Sequence, residues 1–289
     1  MIPDTFDYVA PTSVDEAVRL IAQYGDEAKI LAGGHSLIPM MKLRLARPKC
    51  LIDIGRISSM NGISEDGGTI TIGAMTTHYA IESSALLKEK CPLLPETAST
   101  IGDAQVRNRG TIGGSLSHAD PAADWPAAIL ALGAKLVAVG PKGTRTIHAG
   151  DFFLGMLTTA LHPEEILTKV VIPSQPPKTG DAYLKVHQSA SGFAIVGVAA
   201  SITRNGNGRC TGAGIGVTGI APAPFRASVV EDAIVGKMLD GAMITAAAEK
   251  VVNGIDDPLE DIHASGDYRL HLAKVFTKRA IERAVESIT

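Results

Sequence analysis

The sequence predicts an α+β fold, in which a small parallel α/β unit is followed by antiparallel sheet, and three observations carry that prediction. Strand-like and helix-like segments alternate at the start of the chain. Alternating apolar and polar residues, split by turn residues, fill the middle. A double-glycine hairpin signal and two amphipathic helical stretches occupy the end.

Each element has its own local reason. "PTSVDEAVRLIAQYG" reads as a helix, because Ser13 and Glu16 stand at capping-box spacing and Val14, Ala17, Val18 and Ile21 share one face. Gly25 is its stop signal. A short strand through Ile30 and Leu31 leads into the Gly33-Gly34 turn. "MMKLRLARP" is expected as a short helix ended by Pro48, and "CLIDIGRI" as a second strand. These segments make a first unit, residues 1–57. In the second, residues 58–177, "GGTITIGAMTT" alternates like a half-buried strand and "HYAIESSALLKEK" reads as one helix. "AKLVAVG", "GTRTIHAGDFF" and "EEILTKVVIP" are strand-like, and "PSQPPKTG" can extend neither a strand nor a helix. The third unit, residues 178–289, reads as antiparallel strands with a hairpin at Asn205–Gly208. "GAMITAAAEKVVNG" and "YRLHLAKVFTKRAIERAVESI" are its helices.

Composition narrows the function. With 289 residues, 45% hydrophobic, the chain has ample material for a core. A net charge of −3 argues against nucleic acid or an anionic membrane surface as the main partner. The three cysteines, Cys50, Cys91 and Cys210, are too few for a four-thiolate cluster and suit a reducing compartment. "MIPDTFDYVAP" has neither the basic nor the apolar region of a signal peptide, and no apolar run has the ~18 residues of a membrane span. A cytoplasmic location is expected.

Two glycine turns carry the chemistry. Gly33-Gly34-His35-Ser36 and Gly113-Gly114-Ser115 share one logic: an apolar residue, two glycines and a nearby hydroxyl. Glycine lets backbone N–H groups approach an anion without a Cβ in the way. Two such turns could clamp a pyrophosphate from both sides, although paired glycines also occur in plain tight turns. "TGAGIGVTG" lacks the strand–turn–helix context of a dinucleotide fingerprint and reads as a glycine-rich strand pair.

"LAGGHSLIPMMKLRLARPKCLIDI" followed by "QVRNRGTIGGSLSHADPAADWP", together with "IGAMTTH" and "YLKV", resembles the FAD-binding medium subunit of molybdenum hydroxylases. That family includes carbon monoxide and xanthine dehydrogenases, and the resemblance runs over essentially the whole chain. It implies a vanillyl-alcohol-oxidase-type (PCMH) FAD-binding domain in two subdomains plus a C-terminal flavoprotein domain. The backbone of Ala32, Gly33, Gly34, His35 and Ser36 would cradle the FAD pyrophosphate. Lys29, Ile30, Leu31 and Leu37 would line the same edge, and Thr111, Gly114 and Ser115 would form the other half of the clamp.

By the same resemblance Asp124 contacts sugar hydroxyls, with a helix N-cap as its alternative. Ile101 and Leu161 would wall the isoalloxazine ring, and Lys185 would place a cation near the flavin. An exposed strand lysine is the plainer reading of Lys185. Phe193 would lie near the ring, or else be an ordinary core residue. His118 and Asp120 lack further ligands for a metal and read as loop packing around the cofactor, while His35 and His78 lie beside the FAD segments. Arg107 and Arg109 would dock an iron–sulfur partner or simply be solvated.

The implied role is an electron-transfer subunit without catalytic residues of its own. A large molybdopterin subunit would oxidise the substrate, and a small subunit with two [2Fe–2S] clusters would deliver electrons to FAD, in a dimer of heterotrimers. Gly192 and Phe193 stand where NAD-using relatives carry an acidic pair, which weakens the case for NAD(H) as acceptor and leaves quinone, another carrier or oxygen open. A stand-alone FAD oxidoreductase of the same fold is the alternative, and a non-enzymatic module that has lost FAD is the third reading. The substrate, bound on another subunit, leaves no mark here.

Overall fold

A computed structural model describes residues 2–288. The first sheet is parallel, of order β1-β3-β2, and is formed by β1 (Asp7–Val9), β2 (Ala28–Leu31) and β3 (Cys50–Asp53). Helix α1 (Val14–Tyr24) connects the first two strands, and the Ser13 hydroxyl accepts the amide of Glu16 at 3.2 Å. The return half of the cap is displaced by one residue: the Glu16 carboxylate accepts from the amide of Thr12. Strand β1 is too short for periodicity to reveal, and it pairs only along the edge of β3.

Helix α2 (Leu37–Lys42) begins straight after the glycine turn and stops well before Pro48. Arg44 takes a left-handed φ of 60°, and the amides of Leu45 and Ala46 both turn back to the carbonyl of Met40. The reversal ends the helix before the proline is reached.

The second sheet is antiparallel, of order β4-β5-β10-β6-β7: β4 (Ile63–Asp66), β5 (Thr69–Gly73), β6 (Lys135–Gly140), β7 (Gly143–His148) and β10 (Ile166–Ile172). A small hairpin of β8 (Phe153–Gly155) and β9 (Thr158–Thr159) lies between β7 and β10. Six short helices connect β5 to β6: α3 (His78–Ser83), α4 (Ala85–Lys90), α5 (Leu93–Ser99), α6 (Ala104–Arg109), α7 (Ile112–His118) and α8 (Trp125–Ala131). "HYAIESSALLKEK" is thus two helices rather than one. Ser84 breaks it in an extended conformation, and its hydroxyl caps α4 as that of Thr77 caps α3. Ala17, Val18 and Ile21 of α1 share one continuous core with Ile70, Ile72, Leu136 and Val170 of this sheet.

The third sheet, β11 (Thr179–His187), β12 (Ala194–Arg204), β13 (Cys210–Thr218) and β14 (Phe225–Arg226), runs in that order, all antiparallel. Helices α9 (Ser228–Ile234), α10 (Gly241–Ala248) and α11 (Gly266–Glu286) complete it. The "NGNG" turn joins β12 to β13, with Asn205 accepting from Gly208. "TGAGIGVTG" belongs to one strand, β13, and not to a strand pair. Its glycines exist for helix packing: a Cβ on Gly214 or Gly216 would strike the carbonyl oxygen of Ala131 or Ala127 in α8. All seven residues of α8 are buried, so this helix fastens the third sheet to the rest of the chain. Gly216→Ala is therefore expected to lower stability by about 1–3 kcal/mol, read as a reduced thermal midpoint. An unchanged midpoint would show that the helix yields freely. Among the described residues no helix is long and apolar enough to cross a membrane.

Candidate functional site

The two glycine turns meet at the wall of one cavity of about 580 Å³. The first turn follows β2 and opens α2. Gly34 has φ +78°, which reverses the chain between strand and helix. Among the described residues, the backbone amides of Gly33, Gly34, His35 and Ser36 donate to no protein acceptor. The His35 ring folds back onto the Gly33 carbonyl at 3.1 Å. Four consecutive free N–H groups beside a cavity form a cradle for an anion.

The second turn is built differently. Ile112 donates to Thr76, Gly113 to Ala74, Gly114 to the Thr111 hydroxyl at 3.1 Å, and Ser115 to the Thr111 carbonyl. All four amides are thereby used within the protein. Thr111 is the N-cap of α7, and this side offers hydroxyls instead of backbone N–H groups. The symmetric two-turn clamp is replaced by one donor row and one hydroxyl-bearing wall. At the crossing, a Cβ on Gly33 would collide with the carbonyl oxygen of Arg109 and lie 2.9 Å from the Gly110 Cα, so the two turns pack backbone to backbone.

Lys29, Ile30, Ala32, Gly33, Gly34, His35, Ser36, Leu37, Ile101, Thr111, Gly114, Ser115, Asp124, Leu161 and Phe193 all line this cavity. Leu31 does not. Strand alternation turns it into a separate small apolar cleft with Phe6, Tyr8 and Ile38. Lys185 is also absent from the lining, and it is no exposed strand lysine either, since only 5% of its side chain is accessible. Its ammonium lies 2.9 Å from an Asp124 oxygen and 2.6 Å from the carbonyl of Gly192. Asp124 occupies the N-cap position of α8 but makes no cap bond, because its carboxylate is held by Lys185 and by the Tyr183 hydroxyl at 2.5 Å. Burial pushes the Asp124 carboxyl above the ordinary range, while Lys185 and Tyr183 pull it back. Tyr183 is in turn driven well above its usual value by burial and by the Asp124 charge.

The lysine therefore ties the loop before β12 to the start of helix α8. That loop places Ser191, Gly192 and Phe193 against the cavity, and Phe193 is 46% exposed there, so it is no core residue. His118 and Asp120 line the same space. The Asp120 carboxylate accepts from the Ala122 amide in a local turn. Among the described residues no three His, Cys, Asp or Glu side chains gather to hold a metal. Arg107 is bound to Glu82 at 2.7 Å and to the carbonyls of Ile101 and Gly102, so it braces the second turn, whereas Arg109 is exposed. His78, singled out beside these segments, lines the cavity as well, and Met75, Gly102, Val106, Leu157 and Glu165 do so without having been singled out from the sequence. These five carry no sequence signal and arrive through tertiary folding.

Comparison with known proteins gives a consistent result. The family model described as "FAD binding domain in molybdopterin dehydrogenase" matches residues 4–175, and that of the "CO dehydrogenase flavoprotein C-terminal domain" matches residues 181–284. The chain is 42% identical over 284 residues to the carbon monoxide dehydrogenase medium chain of Hydrogenophaga pseudoflava, covering 98% of each. It is 36% identical over 285 residues to the 6-hydroxypseudooxynicotine dehydrogenase complex subunit alpha of Paenarthrobacter nicotinovorans, covering 99% of this chain and 96% of that one. Among solved structures, a chain of carbon monoxide dehydrogenase from Hydrogenophaga pseudoflava superimposes with a TM-score of 0.97 at 43% identity, with full coverage of both.

Proposed function

Because the chain belongs to the family of FAD-binding medium subunits of molybdenum hydroxylases, we propose that it is the flavin-carrying electron-transfer subunit of such a complex. The observation that carries this reading is the row of four amides, unpartnered among the described residues, at a backbone crossing beside a largely apolar cavity. FAD fits it. A diphosphate needs convergent donors, and a flavin ring needs apolar walls such as Ile101, Leu161 and Phe193. When bound, FAD supplies the means to collect electrons singly from iron–sulfur clusters and to release them in pairs.

The chain's own work is positional. Gly33 to Ser36 replace the water around the diphosphate with fixed donors, and the Thr111 and Ser115 hydroxyls complete the shell from the other side. The buried Lys185–Asp124 pair fastens the 188–193 loop, so Phe193 is held at the cavity instead of swinging free. The three-unit division at 57/58 and 177/178 places the donor row in the first unit and the hydroxyls in the second. Phe193 then comes from the third. A small [2Fe–2S] subunit and a large molybdopterin subunit are the proposed partners, in a dimer of heterotrimers in the cytoplasm.

The two relatives named above carry names with unrelated substrates, carbon monoxide and 6-hydroxypseudooxynicotine, at comparable identity. Substrate choice accordingly belongs to another subunit. The full-length chain, purified alone, should be yellow or take up added FAD, yet turn over no carbon monoxide, purine, aldehyde or N-heterocycle until both partners are added. Turnover by the chain alone would favour a stand-alone oxidoreductase, and failure to take up FAD would overturn the flavin reading.

A further inference from the structure

His78 begins α3, and only 5% of it is accessible, yet its ring lines the cavity. Trp125 Nε1 lies 3.0 Å from His78 Nδ1. An indole N–H can only donate, so Nδ1 must present its lone pair and the ring proton resides on Nε2. Burial lowers the pKa from 6.5 to about 4, and the charges of His35 and Arg107 act in the same direction, which keeps the ring neutral. Among the described residues, Nε2 meets no acceptor. Among the described residues the sealed, unpartnered side-chain atoms are Arg269 Nε and Thr277 Oγ1, so His78 Nε2 keeps accessible surface, and the cavity is the space that His78 lines.

Its place along the cavity is set by Gly110. The His78 amide donates to the Gly110 carbonyl at 2.9 Å, and a Cβ on Gly110 would lie 2.6 Å from His78 Nε2. The same Gly110 is the backbone against which Gly33 packs. His78 Nε2 and the free amides of the first turn therefore flank one short piece of chain, where the two turns cross. A neutral, oriented donor that is cut off from every protein acceptor needs a partner from outside the chain.

We propose that His78 is a further binding residue for the dinucleotide, donating its Nε2–H to a diphosphate oxygen at the crossing of the two glycine turns. This rests on the reading of the cavity as an FAD site. Trp125 is then a positioning residue, fixing the tautomer that leaves the donor on the cavity side. The cradle so completed holds a dianionic linker with backbone N–H groups, hydroxyls and an uncharged imidazole.

The test uses the full-length chain stripped of flavin, with FAD, ADP and riboflavin as probes. In His78→Asn the amide oxygen replaces Nδ1 toward Trp125, but nothing remains at the Nε2 position; in His78→Gln a side-chain N–H returns there. FAD and ADP should bind about tenfold or more weakly to His78→Asn. Both should recover in His78→Gln, and riboflavin should be unaffected in either. Trp125 is the only tryptophan of the chain, so an unshifted emission maximum in His78→Asn certifies that the ring's surroundings persist. Equal FAD binding by wild type and His78→Asn overturns the assignment, as does a loss confined to riboflavin. Should His78→Asn fail to fold, the wild-type Nε2–H resonance decides: ADP must shift it and slow its exchange, and an unmoved proton overturns the proposal. Wild type that binds no FAD would overturn the flavin reading itself, a distinct result.

Discussion

Gly33→Ala should give a folded chain that no longer retains FAD. The methyl group would land on the carbonyl oxygen of Arg109 and within 2.9 Å of the Gly110 Cα. Both are backbone atoms, so no side chain can turn aside to relieve the clash, and the two turns must separate. Separation costs the convergence of the Gly33–Ser36 amides on one anion. Each charge-assisted hydrogen bond is worth roughly 1.5–3 kcal/mol, and losing two weakens binding by about 100-fold or more. Flavin absorbance relative to protein absorbance, followed by FAD titration of the apoprotein, measures the effect. Full occupancy in Gly33→Ala would mean that the crossing is not part of the site. Gly34→Ala is the instructive contrast. Its methyl group would meet only side-chain atoms, those of Ile38 at 2.6 Å and of Leu31 at 3.4 Å, but Gly34's left-handed φ of +78° resists any side chain. A smaller loss is expected there.

Lys185→Met is expected to have the largest effect on stability, about 3–5 kcal/mol at neutral pH, because it strands the Asp124 carboxylate in the interior. The loss is pH-dependent with a definite sign. Burial already raises the Asp124 pKa above its unfolded value, and Lys185 is among the groups that pull it down. A carboxyl with a raised folded pKa contributes stability that is fully present below its unfolded pKa and is lost as pH rises through the folded one. Removing Lys185 pushes the folded pKa higher still. The variant should therefore recover on acidification, when Asp124 takes up a proton, more than wild type does. Thermal unfolding at pH 5 and pH 8 tests this, and Lys185→Met combined with Asp124→Asn should be markedly less damaged than the single change. A pH-independent loss would show that the lysine matters for packing alone. The single change also removes the donor to the Gly192 carbonyl, so protease sensitivity of the 188–193 loop should rise with it.

Much of the architecture was legible because it rests on local rules. The face of Val14, Ala17, Val18 and Ile21 fixed α1, and the "NGNG" turn fixed the β12–β13 hairpin. What escaped was decided by tertiary contacts. Three-residue β1 has no period to read. The end of α2 depends on Arg44 adopting a left-handed backbone, which no residue type announces. The glycines of β13 read as a strand pair, because the helix carbonyls they admit within a single strand lie far away in sequence.

The site divides along the same line. Glycine pairs and their hydroxyls mark the turns in any sequence listing, so most lining residues near 30–37 and 111–115 could be named from the chain alone. Whether an amide is free or already used cannot be read that way, and here the two pairs differ. Likewise "YLK" suggests a cation near a flavin, but the partner that neutralises it, Asp124, is 61 residues away in sequence.

The unequal use of the two turns also bears on the order of events in biogenesis. The second turn satisfies its own donors, and the donors of the first face a water-accessible cavity, so neither requires a ligand to be complete during folding. Folding can precede flavin capture, with hydration water as the placeholder that the diphosphate later displaces. A newly made chain can in this way persist as a loadable apo-subunit, and cofactor supply governs when it becomes competent, not whether it folds.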